Sequence, residues 1–199
     1  SDMTGLRQKY NIFMNVIATL EKIKRRLRSD LFLLFNRHRF AYVGKLVRFY
    51  SPLKVDGYEN IYIKDKARIG DYSWLAAVPL TGNKVNLVIS EAVQIGHFCH
   101  IYATKSVVIE KDVLIADKVY ISDNAHSYDD INLPIWKQPI KQLKEVVIGE
   151  GSWIGENVCI IGASIGKHSV IGANAVVTHD IPDYCVAVGA PAKVIKVTK

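Results

Sequence analysis

Ile89-Ser-Glu-Ala-Val-Gln-Ile95-Gly-His-Phe-Cys-His-Ile101 sets an isoleucine at every sixth position. The step recurs along the chain in Ile63, Ile69, Leu75, in Ile109, Ile115, Ile121, in Ile148, Ile154, Ile160 and in Ile165, Ile171, Val177. A small residue often follows the aliphatic, as at Gly70, Gly96, Ala116, Ser122, Gly155 and Gly172. Another small or apolar residue sits four positions after it, as at Ala67, Ser73, Val93, Cys99, Val113 and Val119. A period of six fits neither a helix nor strands joined by distant turns. It predicts a mainly β fold, a parallel β-helix in which each short strand forms one side of a coil.

The interruptions of the step are informative too. Each run holds three repeats before a break, and the breaks lie between Leu75 and Ile89, Ile101 and Ile109, Ile121 and Ile148, and Ile160 and Ile165. Three sides make one coil, so every break is expected at the same corner of a triangular prism. Loops 76–88 and 122–147 should then leave from one edge, since rigid scaffolds tolerate insertions in projecting loops. Val107, Val113 and Val119 form a competing frame. The isoleucine frame is preferred because it sets Ala116 and Ser122 just after the aliphatics.

The 199 residues suffice for one domain with a sizeable core. No apolar run approaches the roughly 20 residues of a membrane span. No signal peptide is visible, Ser1-Asp2 before Met3 reads as a cloning remnant, and a cytoplasmic location is expected. Three cysteines without CxxC spacing (Cys99, Cys159 and Cys185) give neither a disulfide framework nor a zinc motif. The net charge of +7 is concentrated at one end. Residues 1–50 hold 11 Lys/Arg against 3 Asp/Glu, and the remainder 15 against 16. The repeat region therefore carries no basic field of the kind that marks nucleic-acid binding.

Residues 1–54 read as a helical cap segment and 55–199 as the repeat domain with its protruding loop 122–147. Leu6, Tyr10, Phe13, Ile17, Leu20, Ile23 and Leu27 recur at three- and four-residue steps, so 6–28 is expected to form an amphipathic helix. Lys22, Lys24, Arg25, Arg26 and Arg28 crowd its expected last turns. Ser29-Asp30 can cap a second short helix through about Arg37. These helices either cover the open end of the coil, which would otherwise expose strand edges, or present a basic amphipathic surface for peripheral contact with an anionic membrane.

Three stretches carry a family resemblance: Val147-Ile-Gly-Glu-Gly-Ser-Trp-Ile-Gly-Glu-Asn157, Ser164-Ile-Gly-Lys-His-Ser-Val-Ile-Gly-Ala173 continuing to Pro182, and Val188-Gly-Ala-Pro-Ala-Lys-Val-Ile195. Over about 55–195 the chain resembles the hexapeptide-repeat acetyltransferases, in particular the maltose/galactoside and polysaccharide O-acetyltransferases. The resemblance implies a left-handed parallel β-helix, against the usual right-handed crossover. It also implies a homotrimer, with acetyl-CoA in the groove between adjacent subunits and a saccharide acceptor.

Acyl transfer to a hydroxyl needs a base, and histidine suits it with an ordinary pKa near 6.5. His126 lies where the chain leaves the coil for its longest loop, and the resemblance places the catalytic histidine at this exit. Many relatives have a second histidine two positions earlier, where this chain has Asn124. Asp123 either orients an imidazole, binds acceptor hydroxyls or forms an Asx turn. The resemblance sets Trp153 and Ala173 along the pantetheine groove, Thr178 and His179 where relatives have a Thr-Lys pair, and Lys193 and Lys196 toward the nucleotide. Trp153 can equally be corner packing. Tyr128, Trp136 and Gln138 in the long loop, with Asn124, can stack on or read a sugar, or pack on a neighbouring subunit.

His97 and His100 lie in one repeat and could face an intersubunit groove, but the two-histidine spacing of hexapeptide-repeat carbonic anhydrases is missing around His126. No metal is expected. The reading is an acetyl-CoA-dependent O-acetyltransferase acting on a saccharide by direct attack. Its rivals are an N-acetyltransferase of amino sugars or antibiotics and a non-catalytic repeat scaffold.

Overall fold

The computed structural model describes residues 2–198, and the side chains of Met3 and of residues 7–198. Successive short strands join three sheets in rotation, with the single bridging residues Ile165 and Ile181 holding the place of sheet A in the last coils. Sheet A takes Tyr42–Val43, Ile61–Ile63, Asn86–Ile89, Ser106–Ile109 and Val146–Ile148. Sheet B takes Arg48–Phe49, Arg68–Ile69, Gln94–Ile95, Leu114–Ile115, Trp153–Ile154, Val170–Ile171 and Cys185–Val188. Sheet C takes Lys54–Asp56, Trp74–Ala77, His100–Ala103, Tyr120–Ser122, Cys159–Ile161 and Val176–Val177. All pairings among these strands are parallel.

The register explains the period. Ile63, Ile89, Ile109 and Ile148 stack in sheet A, and Leu75, Ile101, Ile121 and Ile160 in sheet C. All are buried at 0% exposure. Burying each such side chain is worth about 1.5–3 kcal/mol. The valines of the competing frame point inward as well: Val107, Val113 and Val119 are buried beside the isoleucines. Small residues after the aliphatics follow from the tight spacing of the coils. A Cβ on Gly70 would lie 2.3 Å from the carbonyl oxygen of Gly96. Apart from the first B to C corner, the corners from A to B and from B to C turn on one left-handed residue each, as at Ala92 and Phe98 with φ of 58° and 57°. The breaks in the repeat all fall at the remaining corner, from C to A, as the spacing predicts.

The coil begins at Tyr42, ahead of the boundary expected at 54, because Val43, Phe49 and Val55 already fill the inward places of a first coil. At the other end, Lys193–Val197 turns back antiparallel along the sheet B strand Cys185–Val188.

The N-terminal segment is one continuous helix, α1 (Asp2–Asn36), rather than two. Ser29 does not cap a second helix. It is buried within α1, and its hydroxyl oxygen accepts the Phe49 N–H at 2.9 Å. The basic cluster 22–28 therefore stands in mid-helix. Only the end of α1 closes the coil. Phe32 meets the rings of Phe40 and Phe49 edge-on at 6.5 and 5.2 Å, and Leu33 is buried with them. Upstream, Tyr10, Phe13, Ile17, Leu20, Ile23 and Leu27 are all exposed, while the Leu6 side chain lies outside the described residues. No helix among the described residues is long and apolar enough to cross a membrane.

Candidate active site

The longest break in the repeat leaves sheet C after Ser122 and returns to sheet A at Val146. It starts with a two-stranded antiparallel ribbon, Asn124–His126 against Ile140–Gln142, with His126 opposite Ile140. Asp123 holds the base of this ribbon. Its carboxylate is fully buried and accepts the backbone N–H groups of Thr104, Lys105 and Ser106 at 2.7, 2.8 and 2.7 Å. The Thr104 hydroxyl and the Asn124 amide also donate to it, at 3.0 and 3.2 Å. Neither oxygen is left to orient an imidazole or bind an acceptor. Asp123 anchors the loop to the preceding coil.

Gln142 ties three segments together. Its Nε2 donates to the carbonyl of Asp123 at 2.7 Å. Its Oε1 accepts from the Thr81 hydroxyl at 2.7 Å and the Asn83 amide at 3.2 Å, and lies 3.1 Å from the Thr104 hydroxyl, whose one proton it shares with Asp123. The loop carrying His126 and the shorter loop after sheet C in the second coil are thereby locked to one corner. Gln138 is likewise structural. It is buried, and its amide bonds the carbonyls of Asp130 and Leu133, closing the loop tip.

His126 itself is exposed at the end of the ribbon, and its ring has no hydrogen-bond partner among the described residues. It borders a cavity of about 470 Å³ together with Asn124, Trp74, His100, Tyr102 and Tyr120. The aromatic members come from the outer face of sheet C. Each of Trp74, His100 and Tyr120 immediately precedes an inward aliphatic, so register stacks them on neighbouring strands. The Trp74 and His100 rings lie 4.1 Å apart and nearly parallel, and Tyr120 meets His100 edge-on at 5.3 Å. Trp74 is fixed from behind: its Nε1–H donates to Asp56 at 2.8 Å, and the Lys54 ammonium lies 3.0 Å from the same carboxylate and 4.9 Å from the indole.

Burial holds the His100 pKa below the ordinary imidazole value, with Asp56 opposing. Its Nε2 is buried without a hydrogen-bond partner among the described residues. Burial, and then the charge of Asp56, push the Tyr102 phenol up. His97 is turned elsewhere, accepting the Asp71 N–H at 3.0 Å. Among the described residues no group of three His, Cys, Asp or Glu could hold a metal ion.

Tyr128 and Trp136 stand at 70% and 75% exposure outside the lining of this cavity, with the Lys137 ammonium 5.2 Å from the Trp136 ring. Trp153 is half-exposed on sheet B, and Lys193 and Lys196 lie on the exposed strand at that sheet's edge. Ala173 is exposed at the corner from B to C, and its N–H has no partner among the described residues. Thr178 and His179, 3.1 Å apart at Oγ1 and Nδ1, occupy the corner from C to A. An ion pair between Lys144 and Asp180 joins that corner to the returning loop. One chain thus gathers His126 and Asn124, but spreads the other expected residues over different faces.

Residues 145–179 match a family described as the hexapeptide repeat of succinyl-transferase. The chain is 41% identical over 114 residues to WbbJ of Escherichia coli K12, named for O-acetyl transfer in lipopolysaccharide biosynthesis. That match covers 54% of this chain and 58% of WbbJ. It is 31% identical over 146 residues to the galactoside O-acetyltransferase of Escherichia coli K12, covering 73% of this chain and 70% of the relative. The chain belongs to the hexapeptide-repeat acetyltransferase family. Within the family, the structure of an acetyltransferase from Vibrio cholerae solved with acetyl coenzyme A superposes with a TM-score of 0.52 at 25% identity. That superposition covers 82% of this chain and 74% of the other. The chain spans little more than half the length of WbbJ.

Proposed function

We propose that the protein is an acetyl-CoA-dependent O-acetyltransferase of saccharides, with His126 as general base. The observation that carries this reading is the cavity shared by His126 and the aromatic ladder of sheet C. Rings of this kind stack on the apolar faces of sugars, and the unpartnered Nε2 of His100 offers a hydrogen bond to a hydroxyl. The names of the two Escherichia coli relatives point to the same class of acceptor.

The coil then winds with the left hand of the family, and three copies assemble so that each site draws on two chains. That assembly accounts for the dispersal of the remaining residues. Trp153 and the free N–H of Ala173 would line the pantetheine arm, Lys193 and Lys196 would face the phosphates, and Thr178 and His179 would border the loop corner. When bound, the acetyl thioester supplies an electrophilic carbonyl and a thiolate leaving group of low basicity, its thiol pKa being near 8.5 by analogy with cysteine. His126 takes the proton of the acceptor hydroxyl as its oxygen attacks. Asn124 borders the same space, and the ribbon fixed by Asp123 and Gln142 holds the imidazole over it. The Trp74–His100 stack orients the acceptor and excludes water from one side.

The test is a transfer assay against a panel of sugars and amines, with His126→Ala beside wild type. Loss of about 10²–10⁴-fold in kcat with an unchanged melting curve is expected. Unchanged turnover removes His126 as base, and acetylation of amines alone removes the O-acetyl reading. Lys193→Ala should weaken coenzyme binding, and light scattering should give three copies.

A further inference from the structure

The exposed side of α1 carries a pattern that the catalytic reading leaves unused. Tyr10, Phe13, Ile17, Leu20, Lys24, Leu27, Leu31 and Leu34 alternate at steps of three and four without a slip. That is a period of about 3.5, the repeat of a coiled-coil seam, sustained over more than three heptads. Tyr10, Ile17, Lys24 and Leu31 take the a positions, and Phe13, Leu20, Leu27 and Leu34 the d positions. The seven apolar members are between 38% and 72% exposed.

The helix meets its own body through the opposite side. Ser29 holds the Phe49 N–H, and Phe32 and Leu33 pack on the first coil. Arg25 pairs with Asp71 at 3.0 Å and lies 4.5 Å over the Tyr50 ring. These four residues occupy b, c and f positions of the same heptads. The body thus claims mainly the outer positions of a coiled coil and reaches the seam only at its C-terminal end, where Asp30 at a g position pairs with Arg48 at 2.9 Å and Leu34 borders a cavity with Leu46 and Val47. Val16 and Ile23, at g positions, widen the apolar stripe beyond a bare seam and are exposed as well.

We infer that α1 forms a parallel coiled coil with the same helix of further copies of this chain. A second copy is the occupant that the spacing specifies. A helix lying on a lipid surface needs only a stripe with the helical period of 3.6, whereas a strict 3.5 repeat keeps knobs facing holes on a like partner. The lone charged seam residue, Lys24, is the kind of polar a position that fixes register at a cost in stability. In the parallel sense Leu20 of one copy faces Leu20 of the next, so a single substitution tests it.

The experiment uses the full chain carrying Leu20→Cys at a d position or Lys22→Cys at an f position. Under mild oxidation, Leu20→Cys should form an interchain disulfide and Lys22→Cys should not, with the wild type as background for the three native thiols. Both substitutions fall at exposed positions, so the body stays folded. Equal cross-linking of the two variants, or none, overturns the inference. Flotation of the wild type with phosphatidylserine vesicles, coupled to loss of the Leu20→Cys disulfide, overturns it in favour of a membrane. Light scattering separates this result from the assembly in the proposed function. Three copies without the seam disulfide would break the coiled coil and leave the shared active site standing.

Discussion

Sheets B and C are built on the same inward ladder and carry different outward ones. Inward, Ile95 and Ile115 in sheet B do the work that Ile101 and Ile121 do in sheet C. Outward, sheet B shows Arg68, Gln94, Leu114 and Trp153 in succession, a mixed surface. Sheet C shows Trp74, His100 and Tyr120 at the equivalent places, an ordered aromatic stack. The difference teaches that the six-residue period is a statement about the core alone. The outward positions are free of that constraint, and there the two sheets diverge.

The comparison breaks most visibly from the inside. Ile101→Ala should destabilise the fold by about 2–5 kcal/mol in chemical denaturation. Leu114→Ala, on the outer face of sheet B, should stay within about 0.5 kcal/mol. Comparable losses for the two would mean that the outer faces are as constrained as the core.

A smaller effect is expected at the corner between sheets C and A. Asp123→Asn keeps the size of the side chain and removes the charge that three backbone N–H groups share. It should cost about 1.5–3 kcal/mol in denaturant midpoint measurements and loosen the ribbon bearing His126. Full stability with reduced kcat would instead give Asp123 a part in the chemistry.

The smallest effect concerns pH. The rings of Trp74, Tyr102 and Tyr120 crowd His100, with the Asp56 carboxylate nearby, and burial lowers its pKa in the folded chain. The unfolded chain then binds the extra proton first. The contribution of a neutral His100 to stability is complete above its unfolded pKa of about 6.5 and fades as pH falls through the folded value. His100→Phe should flatten the fall in melting temperature on the acid side of pH 6.5. An unaltered acid limb would show that the stack tolerates imidazolium.

The core and the loop corner were legible in the sequence because both rest on spacing. Inward side chains must recur at one place per strand, and an insertion must break that recurrence. His126 stands out for the same reason, being the histidine at the largest break. The first coil was missed, since its inward places hold Val43, Phe49 and Val55, and an aromatic interrupts the run of aliphatics. The anchoring contacts of Asp123 are invisible to spacing, because its partners, 104–106, belong to the preceding coil and become neighbours only once the strands are in register. The aromatic ladder was missed, although one signal was present: Trp74, His100 and Tyr120 each stand one residue before an inward aliphatic. Tyr128 and Trp136 attracted notice by lying near His126 in sequence, whereas the cavity draws its aromatics from separate coils.

The single amide of Gln142 joins Thr81, Asn83 and Thr104 to the ribbon of His126. The two projecting loops are therefore one transplantable unit rather than two. A chimera that imports loop 122–147 from a relative to change the acceptor inherits a fastening whose other half lies in 78–85. Exchanging both segments together is the route that keeps the fastening intact.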